Sequence, residues 1–251
     1  MKKGKKLFGA VILALLLGML CGTTTLAATK TKTLTANKWI TNKVQEDGDV
    51  YYYKIVVPKP GYLTVQGYGI GKGSKKLSLS VRLCNNQKKR LETYKTLLSA
   101  NGNYQTVYAV KKGTYYLQVE STNYKLKYSF KAVTEKSGAS QSKAVKIAQN
   151  KTIQGLLQAG EKGNKTDYYK IVVKKAQRVT FAFTAKANSW IQFQVTSANA
   201  NQSISGNKFY LWNGSKKVVS KSKFPAGTYY IQVSRSSENA DTSGYYTIKW
   251  K

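Results

Sequence analysis

Apolar and polar residues alternate with a period of two along most of this chain, and the alternation comes in two copies. In Gly113-Thr114-Tyr115-Tyr116-Leu117-Gln118-Val119, Tyr115, Leu117 and Val119 point one way and Tyr116 and Gln118 the other, the pattern of a strand with one buried face. The stretch returns as Gly227-Thr228-Tyr229-Tyr230-Ile231-Gln232-Val233, and the glycine before each copy reads as a turn feeding the strand. A second pair is Tyr52-Tyr53-Lys54-Ile55-Val56-Val57 and Tyr168-Tyr169-Lys170-Ile171-Val172-Val173, again rich in β-branched and aromatic residues. After a turn in each copy come Leu63 and Val65, matched by Val179, Phe181 and Phe183, which predict a hairpin. Leu77, Leu79, Val81 and Leu83 predict a further strand, as do Ile191, Phe193 and Val195.

The copies then diverge. Asn85 to Arg90 reads as a polar turn in the first, whereas the second has Phe209 to Trp212, then Asn213-Gly214, then Lys217-Val218-Val219. Asn-Gly between apolar runs predicts a tight hairpin. The copies close on Tyr128-Ser129-Phe130-Lys131 and Tyr246-Thr247-Ile248-Lys249. Thr134 to Lys143 is small and polar without an aromatic, and predicts a flexible linker. No sustained helical period follows the leader. The expectation is all-β: two tandem antiparallel β-sandwich domains of seven or eight strands each, over residues 28–133 and 144–251, with 134–143 between them.

The first residues change where this fold is placed. Lys2, Lys3, Lys5 and Lys6 precede an apolar run from Leu7 to Leu20 and then small residues, the order of a secretory signal peptide. Cleavage is expected after Ala27, making 1–27 the leader. The run is about 14 residues, short of the roughly 20 a spanning helix needs, so no transmembrane segment is expected. A rival reading lipidates Cys21, but Leu20 stands where a lipoprotein signal has a small residue. Without the leader Cys84 is the one cysteine left, so no intrachain disulfide is available and packed cores must hold the fold. The protein is read as secreted or extracellular, and cell-surface association fits its charge.

That charge is large. The chain has 42 basic and 10 acidic residues, for a formal net charge of +32. The leader holds four of the lysines and none of the acids, so the remainder stays far from neutral, and both copies are basic. Such a field attracts polyanions.

The order of an acidic turn (Asp47-Gly48-Asp49), Tyr-x-Lys-Ile-Val-Val, a turn, alternating strands, Gly-Thr-Tyr-Tyr-x-x-Val and a closing Tyr-x-Ile resembles the bacterial pre-peptidase C-terminal domain, twice over nearly the whole chain. The resemblance implies a jelly-roll-like sandwich, usually an accessory module on secreted enzymes, in some cases binding calcium, collagen or polysaccharide. This chain departs from it in having no attached catalytic domain and few acids.

Chemistry is constrained by what the composition lacks. There is no histidine, which removes the usual general base and zinc ligand. Cys84 continues the Ser78, Ser80, Arg82 face and reads as a half-exposed structural thiol. No enzyme activity and no cofactor are expected. Glu46, Asp47 and Asp49 start a calcium set too small for the six to eight oxygens calcium takes, and Asp167 and Glu161 fit turn formation and pairing to lysine better; no metal site is expected. Asn150, Asn164, Asn201 and Asn213 match the glycosylation pattern, which carries little weight beside a resemblance to a bacterial domain.

With Tyr53, Ile55 and Val57 in one core and Tyr169, Ile171 and Val173 in the other, Tyr52, Lys54, Tyr168 and Lys170 face outward. Tyr116 and Tyr230 alternate in the same sense. Tyrosine beside lysine on an exposed sheet suits glycans, since rings stack on sugar faces and cations meet acidic substituents. The sequence therefore points to a non-catalytic tandem module for an anionic polysaccharide or cell-wall polymer, using Tyr52, Lys54, Tyr116, Tyr168, Lys170 and Tyr230. The alternatives are a structural envelope or matrix protein held by charge alone, or an accessory partner of a secreted peptidase. No nucleic-acid motif is present.

Overall fold

Strand residues alternate inward and outward along each segment, and the inward set closes two separate cores. The computed structural model describes residues 29–43, 50–97, 104–121, 123–197, 208–236 and 241–251. The leader with Cys21, the acids Glu46, Asp47 and Asp49, and Asn201 lie outside the described residues. In the first half the strands are β1 (Thr29–Thr33), β2 (Ile40–Lys43), β3 (Val50–Val57), β4 (Gly61–Ile70), β5 (Lys76–Leu77), β6 (Leu79–Cys84), β7 (Lys95–Leu97), β8 (Gln105–Val110), β9 (Gly113–Glu120) and β10 (Asn123–Ala132). The second half has β11 (Val145–Lys146), β12 (Thr152–Leu157), β13 (Thr166–Val173), β14 (Thr180–Ser197), β15 (Lys208–Val219), β16 (Gly227–Arg235) and β17 (Gly244–Trp250). The fold is all-β, as the alternation requires.

The first half is a sandwich of two five-stranded sheets, β1-β3-β9-β6-β7 and β2-β10-β4-β5 with β8 also on β4. Its core includes Tyr53, Ile55, Leu63, Val65, Val81, Leu83, Leu117, Val119, Tyr124 and Leu126. Tyr53 and Tyr124 are fully buried and share a hydrogen bond of 2.7 Å between their hydroxyls. In the second half Tyr169 and Tyr246 repeat that bond at 2.8 Å, and the Tyr246 hydroxyl also lies 2.6 Å from buried Asp167. Removing one phenol of such a pair strands the other, at a cost of about 1–3 kcal/mol. Most pairings are antiparallel, but each half adds one parallel edge, β1 on β3 and β11 on β13.

These hydrogen bonds revise the internal repeat. Tyr124 pairs with Gly69 on β4, and Tyr246 with Ala185 on β14. The amides of Asn37 and Asn150, both at positive φ, donate to the carbonyls of Tyr128 and Trp250. Tyr128 therefore matches Trp250, and the closing strands align four residues away from the Tyr128–Tyr246 match that the sequence suggests.

The same bookkeeping explains why the halves look different. Equivalent residues are 116 apart on the β4 side (Gly69 and Ala185) and 112 apart on the β6 side (Val81 and Phe193). Four fewer residues leave the second half no room for the 3-10 turn Lys72–Ser74 that separates β4 from β5 and β6. β14 runs through instead, pairing with β17 over Phe181–Ala187 and with β16 over Ile191–Ser197. β15 follows it across the corner, with a register shift between Lys186 and Ile191. The hairpin expected at Asn213-Gly214 is thus absent. Gly214, at φ 122°, instead bends one continuous strand where it passes between the layers. Leu77, expected inward, is exposed on the short strand β5.

The segment 134–143, expected as a flexible linker, is fastened to the second half. Gly138 and Tyr168 exchange backbone hydrogen bonds of 2.9 and 3.1 Å, and Gln158 Nε2 donates to Glu135 at 2.9 Å. The halves also meet directly. Tyr62, Val107, Ala109, Val133 and Leu156 form a small third core, and the Tyr62 and Tyr245 rings stack at 5.0 Å. Beside it Asn188 donates to Glu92, while Thr93 donates backbone and hydroxyl hydrogens to Asp241.

Candidate functional site

The six outward residues expected from the sequence fall into two equivalent triads, one per half. In the first half β3 and β9 place Tyr52 opposite Gln118 and Lys54 opposite Tyr116. The Tyr52 and Tyr116 rings meet edge to face at 6.4 Å. Both are half-buried, and residues 85–94 lie against this face, while Lys54 is exposed. Asn85 holds the turn, its Oδ1 accepting from the amides of Gln87 and Lys89 at 2.9 Å each. The turn presents Lys88, whose Nζ donates to Thr31 Oγ1 and lies 4.9 Å from the Tyr52 ring and 5.6 Å from Tyr116.

Farther along, the Arg82 guanidinium packs 4.0 Å from the Tyr94 ring and donates to Gln118 Oε1 at 2.9 and 3.2 Å. Gln118 donates to Glu120 at 2.6 Å. Under this lid Cys84 is fully buried rather than half-exposed, because the polar turn that follows it covers its face. Burial pushes its thiol up, and burial likewise raises the Tyr52 phenol, so both stay protonated at neutral pH.

In the second half β13 and β16 set Tyr168 opposite Gln232 and Lys170 opposite Tyr230. β14 extends both rows, with Gln194 opposite Gln232 and Thr196 opposite Tyr230. Tyr168, Lys170 and Tyr230 are half-buried. Two adjacent rows, Tyr168-Gln232-Gln194 and Lys170-Tyr230-Thr196, thus bring phenols, amides, a hydroxyl and an ammonium onto one face. These groups donate and accept hydrogen bonds from polyols, and the ammonium adds attraction for an anion. A third row continues the face, where the Tyr210 hydroxyl donates to Gln192 Oε1 at 3.3 Å.

The electrostatics of the surface follow from the acids more than from the bases. Every one of the six described carboxylates is engaged inside the molecule. Glu92 is buried against Asn188 and Lys95. Glu120 takes Gln118 and Tyr94. Glu135 takes Ser137 and Gln158. Glu161 takes Lys165 at 2.8 Å and buried Arg235 at 3.5 Å, Asp167 takes Tyr246, and Asp241 takes Thr93 and Lys95. Glu161 thus pairs with a lysine, while buried Asp167 chiefly accepts from the Tyr246 hydroxyl, with Lys165 at 3.8 Å. Among the described residues no group of three or more His, Cys, Asp or Glu side chains could hold a metal ion. The sequence reading missed the exposed aromatics Trp39, Trp190, Tyr210 and Trp212. Their signal was large aromatics at positions that neither alternating apolar set uses.

No family model matches the chain, and no curated protein matches it. Among solved structures, the pre-peptidase C-terminal domain of collagenase from Bacillus anthracis is 20% identical over 48% of this chain and 100% of that chain, with a TM-score of 0.31. PliG from Aeromonas hydrophila, a periplasmic inhibitor of g-type lysozyme, is 17% identical over 43% of this chain and 96% of its own, also at 0.31. The tandem N-terminal CBM22 domains of Paenibacillus barcinonensis Xyn10C are 9% identical over 80% and 82%, at 0.24.

Proposed function

We propose that this protein is an exported, non-catalytic tandem β-sandwich module that attaches to an anionic surface polymer or acidic glycan. The observation that carries this reading is the internal use of every described carboxylate. Among the described residues the surface therefore presents many lysines beside few carboxylates, each already partnered, and such a field attracts polyanions. The Tyr168, Lys170 and Tyr230 face of the second half supplies the contact surface, and Tyr52, Lys54 and Tyr116 form its partly covered counterpart. Two linked contacts of modest strength add through effective concentration.

Paired variants on a glycan and polyanion array separate the parts of this reading. Lys54→Gln with Lys170→Gln is expected to weaken binding to polyanions about tenfold at low salt and little at high salt, where screening acts over only about 3 Å at 1 M. Tyr52→Leu with Tyr168→Leu is expected to weaken glycan binding at both salts. Tyrosine variants that bind every glycan like the parent would leave only an electrostatic anchor.

A further inference from the structure

The β2-β10-β4-β5 sheet carries a second aromatic pair, Trp39 and Tyr68, on the face away from its core, with Tyr104 at the margin packed partly against that core. Trp39 is 48% exposed, and Tyr68 and Tyr104 are half-buried beside it. The Trp39 and Tyr68 ring centroids are 6.0 Å apart at 58°, and those of Tyr68 and Tyr104 5.9 Å apart at 62°. Successive tilts of this size make a trough rather than a flat bench. Lys127 Nζ lies 4.8 Å from the Trp39 centroid and Lys76 Nζ 4.8 Å from that of Tyr68. The register sets Lys125 directly opposite Tyr68. No carboxylate occurs in β2, β4, β5, β8 or β10, so this whole sheet is cationic.

The second half acts as an internal control. By the equivalences of the closing strands and their neighbours, Trp39 corresponds to Thr152, Tyr68 to Thr184 and Tyr104 to Lys216. There Thr184 and Thr247 simply share a hydrogen bond of 2.6 Å. The same scaffold therefore closes with threonines at the Trp39 and Tyr68 positions, and its packing does not call for aromatics there. Beside Tyr104 the first half has Gly67 where the second has buried Phe183, so Tyr104 serves the core. Exposing a tryptophan without a packing reason is uncommon on a soluble surface and marks contact sites.

We propose that Trp39 and Tyr68, with Lys76, Lys125 and Lys127, form a site for a hexuronate-containing polysaccharide. The apolar C–H face of a sugar ring would lie on Trp39 or Tyr68, and the neighbouring ammonium groups would take its carboxylate. The alternation of ring and cation along the trough matches a polymer that repeats a sugar face and an acid at each unit. This rests on the reading of the protein as a polyanion-binding module, and it adds a site on the sheet opposite the Tyr52 and Tyr116 face.

The exported chain would be titrated with oligogalacturonate, with cellohexaose as an uncharged sugar and polyphosphate as an anion without sugar, following tryptophan emission and calorimetry. Trp39→Ala and Tyr68→Ala are each expected to lower oligogalacturonate affinity about tenfold while leaving polyphosphate binding within about twofold of the parent. Trp39→Phe should restore most of the loss, and unchanged melting curves would show that the fold is intact. Lys76→Gln with Lys127→Gln should weaken oligogalacturonate binding without strengthening that of cellohexaose. The proposal is overturned, with polyanion binding left standing, by Trp39→Ala and Tyr68→Ala variants that bind oligogalacturonate like the parent. Equal losses for polyphosphate and oligogalacturonate would also overturn it, since the site would then read charge and not sugar. A parent chain that binds neither would sink both this site and the function on which it rests.

Discussion

Glu92 sits in the seam between the halves, and burial there pushes its carboxyl up to about 7. The groups facing it are Asn188 and Ser243 from the second half, Lys95 at 4.0 Å, and Asp241 and Tyr108. In the unfolded chain the same carboxyl titrates near 4.5. Between those two values the native protein holds a proton that the unfolded chain has released, so this group makes stability fall as pH rises through that window. Glu92→Gln removes the ionisation and keeps an acceptor for Asn188. In urea melts it is expected to match the parent near pH 4 and to exceed it by up to about 3 kcal/mol at pH 8. A difference independent of pH would mean that Glu92 is not titrating in the seam. At this scale the sequence was informative about direction, since Tyr52, Lys54, Tyr168 and Lys170 do face away from the cores. It was silent on cover. The lid that buries Cys84 and places Lys88 on Tyr52 comes from a turn whose docking depends on tertiary contacts, and no local pattern encodes those.

The repeated strands β3, β9, β13 and β16 were legible, because a half-buried sheet imposes a period of two and the repeat doubled the signal. By contrast β1, β2, β7, β8, β11 and β12 were not named, and the first half has ten strands where seven or eight were expected. What failed was punctuation. Asn213-Gly214 has the composition of a tight hairpin, yet β15 must follow β14 across the corner, and the long-range pairing decided the outcome. Gly214 has nothing within 4 Å of where a Cβ would stand, so the constraint is its φ of 122° and not space. Gly214→Ala is expected to destabilise the second half by about 1–3 kcal/mol in denaturant melts. Gly214→Val should cost at least as much, since a β-branched side chain tolerates positive φ least. A neutral alanine variant would show that the strand relaxes to an ordinary bend. The shifted match of the closing strands has the same origin: Tyr-x-Ile-like spacing recurs within β10, and only the pairing of Tyr124 with Gly69 selects the true equivalent.

For the whole molecule, two cores, a seam and an almost unopposed positive field combine into a basic body with distinct faces. The formal charge of +32 repels itself at low salt. Net charge was readable from composition, but the intramolecular partners of the six described carboxylates were not, because they depend on which side chains the topology brings together. Charge-driven attachment makes one quantitative demand. Binding of the protein to polygalacturonate, followed from about 0.05 to about 0.5 M sodium chloride, should weaken linearly on a log–log plot, each neutralised anion adding roughly 0.7–0.9 to the slope. A slope of several units is the expected result. Affinity that holds constant across that range, or no binding at its low end, would contradict a module that attaches through its cationic surface.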